Sequence, residues 1–422
     1  MVHNVKLYPR IFESGKKQKI YVSIEDFAGE VAIRVQPLEE YSIKHSANIK
    51  ILEQERYPYM PMTSLENGLY FFEYGFTAEQ KYSVCIAAGE IKKEIYVYAL
   101  DSDLMGLMPF KGDTHIHTTG SDGAEPPFEV AINYRNAGFD FICVTDHHKM
   151  QPSVDLKKEI EALTDTFTVF RGEEVHNKSM GYFHVINFDG EISVNDIIET
   201  DDAFVEAQIK RIMEENDFSG ISDPRYCAYR MFIAEQIRRG GGLAVLPHPF
   251  WECGGEYNAQ PSDVKYLLKS GFFDAFEVLD DCDNGGNGEN LQIALWQEHC
   301  IENGYMPVLA ASDAHTSIEG KSGFNKYFSI VFAKDLDGIK SAVKDGKSVA
   351  VYREDDRKYL ALGKFRYVKY ARFLLDEYFP YYTDTYAQKH ARLLAKGDKN
   401  ELKKLEKQIA EYQNDFFNRG IR

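Results

Sequence analysis

Histidines and carboxylates recur at the ends of apolar stretches in this 422-residue sequence. In the segment GDTHIHTTGSDG, His115 and His117 lie two residues apart and Asp122 follows them. Side chains two residues apart on an extended strand point to the same face, so both imidazoles can bind one metal ion. A His-x-His pair is a weak indication when it stands alone, because such pairs also occur by chance on protein surfaces.

Further histidines and carboxylates stand at the ends of apolar segments farther along the chain. Imidazoles and carboxylates without a cysteine form a mixed nitrogen and oxygen ligand set, which suits Zn, Mn or Fe. The candidates outnumber the ligands of one ion, so we expect two or three divalent ions, with a carboxylate bridging two of them. The further candidates are Asp146, His147 and His148 in VTDHH, Glu173, Glu174 and His176 in RGEEVH, His184 in YFHVINF, His248 in PHPF, and Asp313 and His315 in SDAH.

The elements that must position these residues are apolar strands alternating with helical stretches, between about residues 110 and 353. Continuous apolar strands joined by helices predict an α/β fold with a parallel sheet covered on both faces, either an open sheet or a βα barrel. Sites in such folds lie at the C-terminal ends of the strands, where the histidines cluster. The predicted helices include PFEVAINYRNAG, RMFIAEQIRRGG, ENLQIALWQEHCIENG and LDGIKSAVKDG.

The flanking segments have different patterns. Residues 1–103 predict a small all-β sandwich of immunoglobulin-like size, because short strands rich in β-branched and aromatic residues alternate with turns. Residues 354–422 predict a helical C-terminal extension with one apolar stripe, which we expect to pack on its own protein rather than on a partner. The predicted strands are KIYVSI, EVAIRV, GLYFFEY, KYSVCIA and EIYVYAL, and the stripe consists of Leu402, Leu405, Ile409, Tyr412 and Phe416.

The composition limits the partners. There are 49 Lys and Arg against 66 Asp and Glu, giving a formal charge of −17, and most of the excess acid lies between residues 106 and 353. A net-acidic chain is a poor candidate for binding long nucleic acid, because contacts with the phosphates require cationic side chains. We see neither a signal peptide nor an apolar run long enough to span a membrane. The six cysteines form no C-x-x-C pair, so we expect reduced thiols in a cytoplasmic protein. The oligomeric state stays open.

The ordered series HIH…SDG, TDH, GEEV, a strand histidine, PHP and SDAH resembles the polymerase and histidinol phosphatase (PHP) superfamily of metal-dependent phosphoesterases. The resemblance implies a distorted seven-stranded βα barrel, over residues 104–353, with a trinuclear site at its mouth. It implies that His115, His117 and Asp313 bind the first ion. It also implies that Glu174 bridges, with His184 and His248 on the second ion. The third ion takes Asp122, His147 and His315, although many members have a histidine at the first of these positions.

The expected activity is hydrolysis of a phosphoester in a small metabolite or nucleotide. A hydroxide held between two ions forms near neutral pH and can attack phosphorus in line, while the ions neutralise the phosphoryl oxygens. We expect Asp146 to orient a histidine ring and His148 to lie just outside the ligands. The catalytic centre would comprise His115, His117, Glu174, His248 and Asp313. Candidates for phosphate contact are Arg171, Arg225, Arg230 and His176, and candidates for the leaving-group acid are His148 and His176.

Two other functions remain open. Amidohydrolase-like barrels, which hydrolyse C–N or C–O bonds, also begin with His-x-His and end with Asp. They usually add a bridging lysine, and no lysine stands at a matching strand end here. The other alternative is a non-catalytic PHP module with a binding role, although such modules lose ligands and this chain keeps every matched position. For the β-sandwich we favour a scaffold over a carbohydrate-binding or partner-binding role.

Overall fold

The computed structural model describes residues 4–39, 56–176, 184–253, 255–281, 287–355 and 358–419. The chain divides into two compact units. The first comprises Met1–Leu107, Arg372–Tyr378 and Lys404–Arg422, and the second comprises Met108–Ala371 and Phe379–Lys403. The predicted C-terminal extension is therefore shared between the two units, while the three predicted domain ranges themselves stay predictions.

The first unit contains two sheets with one common core. One sheet has the order β1-β3-β7-β6 and the other β2-β9-β8-β4-β5. Side chains that alternate along each strand bury one face: Ile20 and Val22 of β3 pack in the same core as Val84 and Ile86 of β8. The strands are β1 (Val5–Tyr8), β2 (Ile11–Glu13), β3 (Lys17–Ile24), β4 (Ala32–Pro37), β5 (Met60–Pro61), β6 (Thr63–Ser64), β7 (Leu69–Gly75), β8 (Gln80–Ala88) and β9 (Ile91–Leu100). All five predicted strand segments coincide with strands of this unit.

The second unit is built on two larger sheets, with strands β10 to β22. A six-stranded sheet has the order β12-β11-β10-β20-β21-β22, and a five-stranded sheet has the order β13-β14-β15-β18-β19. The short strands β16 and β17 form a separate hairpin. The bounds are β10 (Met108–Ile116), β11 (Phe141–Val144), β12 (Thr168–Phe170), β13 (Gly172–Val175), β14 (Val185–Phe188), β15 (Leu243–Leu246), β16 (Glu252–Cys253), β17 (Glu256–Tyr257), β18 (Ala275–Leu279), β19 (Val308–Ala310), β20 (Tyr327–Ala333), β21 (Ser348–Asp355) and β22 (Lys358–Gly363).

The strand directions differ from the predicted all-parallel sheet. The pairs β10–β11, β11–β12, β15–β18 and β18–β19 are parallel, whereas β13–β14, β14–β15, β10–β20, β20–β21 and β21–β22 are antiparallel. A buried strand is apolar on both faces in either direction, so its composition does not reveal the direction of its neighbour. Through the described residues the two sheets stay open, and the predicted seven-stranded barrel is not confirmed. Isolated bridges at Ile116–Ala314 and His147–Glu174 join strand ends beside the histidines.

Helices cover these sheets, and the four helices predicted above are all present. The long helix α5 begins at a proline, with the Asp223 side chain accepting from the backbone N–H of Tyr226, and most of its side chains are buried. The helices are α1 (Pro127–Asn136), α2 (Gln151–Glu161), α3 (Val194–Thr200), α4 (Asp202–Glu215), α5 (Pro224–Arg239), α6 (Pro261–Lys269), α7 (Asn287–Asn303) and α8 (Ile339–Lys344). None of the helices that the structure describes is long and apolar enough to cross a membrane.

The C-terminal segment is helical, as predicted, only from Phe365 onwards. Residues 358–363 instead form strand β22, which pairs antiparallel with β21 and extends the six-stranded sheet. The predicted stripe is buried at Leu402, Leu405, Ile409 and Phe416, so it packs within the protein as expected. The elements are α9 (Phe365–Glu377), α10 (Phe379–Tyr382), a π-helical turn (Thr383–Ala387), α11 (Gln388–Lys396) and α12 (Lys399–Phe417).

A buried arginine attaches the C-terminal helices of the second unit to α1. The Arg135 guanidinium donates to the hydroxyl of Tyr382 (2.8 Å), to Nδ1 of His390 (3.2 Å) and to a carboxylate oxygen of Asp140 (3.1 Å). A fully buried cation is costly unless it is paired and hydrogen-bonded, and these partners supply both. We expect this network to hold α10 and α11 in one position.

Candidate metal centre

The first group of possible metal ligands lies at the end of β10. His115, His117, Glu174 and Asp313 each direct one donor atom into a common space. Asp313 Oδ1 lies 3.2 Å from His115 Nε2 and 2.8 Å from His117 Nε2, and the two Nε2 atoms lie 3.2 Å apart. Glu174 Oε2 lies 3.4 Å from each of the same nitrogens. The backbone N–H of His117 donates to the carbonyl of Ala314 (3.0 Å), which holds the end of β10 beside Asp313.

The second group shares Glu174 with the first. Its other oxygen, Oε1, lies 3.1 Å from His248 Nε2 and also contacts His184 Nδ1, and these two nitrogens are 3.3 Å apart. His184 directly precedes β14, and His248 follows β15 between two prolines. All three residues are buried. The two oxygens of Glu174 therefore face two different groups of imidazoles, as a bridging carboxylate requires.

The third group lies nearer the surface. Asp122 Oδ2 is 3.5 Å from His147 Nε2 and 3.4 Å from His315 Nε2, and Asp122 Oδ1 is 3.8 Å from His117 Nδ1. His147 also touches the first two groups, because its Nδ1 lies 2.9 Å from Glu174 Oε2. The three groups together contain all nine residues that the sequence analysis predicted as metal ligands.

The donor atoms fit divalent metal ions. A tetrahedral shell with Zn–N and Zn–O bonds of about 2.0–2.2 Å has ligand-to-ligand edges of about 3.3–3.6 Å. The 2.8–3.4 Å separations in the first group are close to those edges. Glu174 Oε2 and His117 Nδ1 are buried atoms whose contacts with His147 Nδ1 (2.9 Å) and Asp122 Oδ1 (3.8 Å) lack hydrogen-bond geometry. Buried polar atoms are normally satisfied, so both positions are suited to an ion. Imidazole and carboxylate donors suit Zn, Mn or Fe.

The histidines and carboxylates of these groups shift each other's pKa values. Burial alone lowers the pKa of His117, but its hydrogen bond to Asp313 and the nearby Glu174 raise that pKa to about 9. Burial likewise disfavours the charged His115, yet Asp313, Glu277 and Glu174 raise its pKa well above the ordinary range. Burial raises the pKa of Glu174, but His184, His115 and His147 hold it well below its usual value. The centre therefore favours positive charge, which divalent ions supply.

The backbone is strained beside the ligands. Asp313 has φ = 46° and His148 has φ = 59°, a left-handed conformation that non-glycine residues rarely adopt. Such conformations cost about 1–3 kcal/mol each and persist where the surrounding structure requires them. The backbone conformation of Asp313 directs its carboxylate toward His115 and His117.

Comparisons with known proteins give the following similarities. No protein-family model matches this chain. DNA polymerase/3'-5' exonuclease PolX of Bacillus subtilis (strain 168) is 34% identical over an alignment of 91 residues, which covers 19% of this chain and 16% of that polymerase. The chain thus spans less than a fifth of that relative's length.

Three solved structures are similar to parts of this chain at low sequence identity. A two-domain protein from Bacteroides vulgatus, described as containing a predicted PHP-like metal-dependent phosphoesterase, is 19% identical, with 60% of this chain and 67% of that chain covered and a TM-score of 0.40. A metal-dependent phosphoesterase of Bifidobacterium adolescentis, assigned by inference, is 15% identical (48% and 87% covered, TM-score 0.34). An amidohydrolase from Chromobacterium violaceum, with bound sulfate and no metal, is 16% identical (50% and 88% covered, TM-score 0.34).

The ordered motifs of the sequence and the three ligand groups of the structure agree in the residues that they identify. This chain resembles the PHP-type metal-dependent phosphoesterases. The match to the PHP-type pattern covers every position assigned above, including Asp122 at the position where many members have a histidine.

Asp146 and Glu173 support the PHP-type ligands indirectly. Asp146 does not orient a histidine ring in the hydrogen bonds that the structure describes. Instead it accepts from the backbone N–H groups of Thr118 (2.8 Å) and Ser121 (3.0 Å) and from both hydroxyls, and so anchors the loop that carries Asp122. Buried Glu173 accepts from the backbone N–H of Val194 (2.6 Å) and the side chain of Asn195 (3.0 Å), which fixes the start of α3.

The three arginines expected to contact phosphate lie elsewhere. Arg171 pairs with Asp189 (3.3 Å), because it stands before β13 begins, away from the strand end that bears Glu174. Arg225 pairs with Glu206, and Arg230 is buried against the ring of Tyr226 (4.2 Å). None of the three is among the described residues that line the cavity above the ligands, and their contact with a phosphate stays a prediction.

That cavity has a volume of about 700 Å³ and opens over all three groups. His148 and His176 line it, with ring centroids 3.8 Å apart. Burial and the charges of neighbouring imidazoles, chiefly His184, lower the pKa of His176 to about 3, so this ring is neutral near pH 7 and is a poor acid. Lys149 is the only lysine or arginine among the described lining residues.

Sequence reasoning missed three residues of this region. Glu277 lies in β18 and contacts His115, and the signal was a carboxylate within the apolar run AFEVL. Lys149 directly follows VTDHH, and its Nζ donates to the carbonyl of Gly120 (2.8 Å) beside Asp122. Trp251 follows PHPF and lines the cavity with its ring centroid 5.7 Å from that of His184. Sequence adjacency to a motif was the available signal for the last two.

Proposed function

We propose that this protein is a metal-dependent phosphoesterase that hydrolyses a small phosphorylated metabolite or nucleotide. The observation that carries the proposal is the sharing of Glu174 by adjacent imidazole–carboxylate groups on the floor of one cavity. Two or three divalent ions, Zn, Mn or Fe, would be held there. His115, His117 and Asp313 would hold the first, His184 and His248 the second, and Asp122, His147 and His315 the third.

When bound, such ions supply acidified water and neutralise charge on a phosphoryl group. The chain's own residues then determine how the substrate enters. Lys149 stands at the Asp122 side of the cavity, where its ammonium can pair with a phosphate oxygen. Asp196 and Glu199 of α3 line another part of the cavity and would repel a second anionic group. This arrangement favours a small substrate with one phosphoryl group over a long polyanion.

The fold proposal accompanies the functional one. We propose that the strands of residues 104–353 form the distorted seven-stranded barrel of the PHP type. The bridges Ile116–Ala314 and His147–Glu174 support this, because they connect strand ends around the ligands. We further propose that the β-sandwich of residues 1–103 is a scaffold and that the helical C-terminal extension begins at Phe365.

Hydrolysis of a C–N or C–O bond is the second candidate. The same metal groups would serve it, and one of the similar solved structures is described as an amidohydrolase. The single lysine of the described cavity lining, Lys149, donates to the backbone carbonyl of Gly120, and this contact favours the phosphoesterase over a barrel with a bridging lysine. A non-catalytic PHP module with a binding role is the third candidate, and the complete set of nine ligand positions disfavours it.

One experiment separates these candidates. The purified protein would be analysed for bound metals and assayed with phosphomonoesters, phosphodiesters, cyclic amides and lactones, beside His248→Ala and Asp313→Ala. We expect at least two ions per chain and phosphoester hydrolysis that both substitutions abolish. Turnover of amides or lactones alone would favour the second candidate. Fewer than two ions per chain, or hydrolysis that survives both substitutions, would contradict the proposed mechanism.

A further inference from the structure

Glu277 is a carboxylate in the middle of a buried strand. Strand β18 is paired with β15 on one side and β19 on the other, and all five of its residues are buried. The exposed fraction of Glu277 is 0%. A carboxylate in such surroundings is costly unless a donor compensates for the lost water. The identity of its partner therefore indicates what it does.

That partner is a histidine of the first ligand group. Glu277 Oε2 lies 3.2 Å from His115 Nδ1, and the His115 ring is also fully buried. The opposite ring nitrogen, Nε2, lies 3.2 Å from Asp313 Oδ1 and 3.4 Å from Glu174 Oε2. The His115 ring thus stands between Glu277 and the space where the other donors of its group converge.

Glu277 itself belongs to none of the three ligand groups in the described chain. The carboxylates of Asp313 and Glu174 also lie near the His115 ring, and both face Nε2. By contrast, Nδ1 of His248 has no hydrogen-bond partner among the described residues, and Nδ1 of His117 faces Asp122 of the third group at 3.8 Å. Among these three rings, His115 is the one whose Nδ1 lies within hydrogen-bond distance of a carboxylate that belongs to none of the described ligand groups.

We propose that Glu277 is a positioning residue that determines which nitrogen of His115 is free to bind a metal ion. By accepting a hydrogen bond from Nδ1–H, it fixes the tautomer in which the Nε2 lone pair faces the first group. A carboxylate in this position also makes the imidazole more basic and orients its plane, and loss of such partners lowers metal affinity about 10- to 100-fold. The inference rests on the proposed metal centre and deepens it.

Two substitutions test this role. Glu277→Leu removes the acceptor, whereas Glu277→Gln keeps an oxygen that can accept from Nδ1–H and loses the charge. Zn²⁺ alone would be titrated into the metal-free proteins, and ¹⁵N chemical shifts of the His115 ring would report its tautomer in the Zn²⁺-loaded proteins. We expect the affinity for the tightest ion to fall about 10- to 100-fold in Glu277→Leu. Glu277→Gln should lose less, with Nδ1–H retained.

Glu173→Gln is the matched control. Glu173 is equally buried, on strand β13 of the same sheet, but it accepts from Asn187 and from the start of α3 rather than from a histidine. The Glu173→Gln variant should lose stability while keeping the affinity for the tightest Zn²⁺ ion.

Unchanged Zn²⁺ affinity and unchanged His115 chemical shifts in Glu277→Leu would overturn the positioning role alone. Absence of Zn²⁺ binding in the unsubstituted protein would overturn the proposed function, and this inference with it. If Glu277→Leu does not fold, the Zn²⁺ affinity of Glu277→Gln decides: an affinity equal to that of the unsubstituted protein overturns the inference.

Discussion

Glu173 and Glu174 are consecutive in β13, and their carboxylates lie on opposite faces of the strand. Glu174 contacts imidazoles of all three ligand groups, while Glu173 accepts hydrogen bonds from the first residues of α3. Successive side chains of a strand alternate between its faces, so one dipeptide supplies both the shared ligand and the support for a helix that lines the cavity.

Glu174→Gln should abolish most of the activity. The amide removes the negative charge that the surrounding imidazoles and ions require, so we expect fewer bound ions per chain and a fall in kcat of about 100-fold or more. Elemental analysis and steady-state kinetics measure the two effects. Glu173→Gln serves as the control: it should keep its ions and lose about 1–3 kcal/mol of unfolding free energy. Equal metal loss in both variants would contradict separate roles.

Asp146→Ala should loosen the loop that carries Asp122. Four donors from Thr118 and Ser121 lose their acceptor, and each buried donor left unpaired costs about 1–3 kcal/mol. We expect lower stability in urea unfolding and selective loss of the weakest-bound ion. Asp146→Asn keeps the oxygen position that accepts three of these bonds and should recover part of both properties. A normal metal count and normal stability in Asp146→Ala would rule out the anchoring role.

Lys149→Gln should weaken substrate binding. Its ammonium is the one described cation of the cavity lining, so we expect KM for a phosphomonoester to rise by roughly tenfold, with little change in kcat or metal content. Steady-state kinetics measure the split. Arg171→Gln is the charge-matched control, because Arg171 pairs with Asp189 away from the cavity. A similar rise in KM for both variants would assign the effect to overall charge.

The metal-free protein should become less stable as the pH rises from about 6.5 to about 9. Asp313 and Glu174 raise the pKa of His117 to about 9 against the opposing effect of burial, so the folded state holds a proton that the unfolded chain releases near its ordinary value. This contribution is fully present below about pH 6.5 and disappears as the pH passes the folded pKa. Thermal unfolding across this range measures it, and the slope should be smaller in His117→Gln. Added Zn²⁺ should offset the loss, since ions and protons compete for the same nitrogens.

Much of the centre was predictable because its ligands lie at strand ends. His115 lies in β10 and His117 directly follows its last residue, so alternation places both on one side, and Asp313 follows β19 beside them. The partners that act across the fold were not predictable. Glu277 meets His115 only because β18 lies among the strands surrounding the site, and the direction of a strand pair leaves no trace in an apolar run. A similar limit applies to Arg171. It precedes β13, whereas Glu174 lies near the end of that strand, so Arg171 lies away from the ligands.

The sharing of Glu174 has a consequence for how the protein responds to its metal supply. Ligand groups with a common carboxylate are thermodynamically coupled: an ion in one group changes the charge and orientation that the carboxylate offers to the next. By reciprocity, each ion alters the retention of its neighbours to the same extent as they alter its own. We therefore expect occupancy to follow free metal concentration in linked steps rather than as three separate equilibria, so that activity reports how much metal is available.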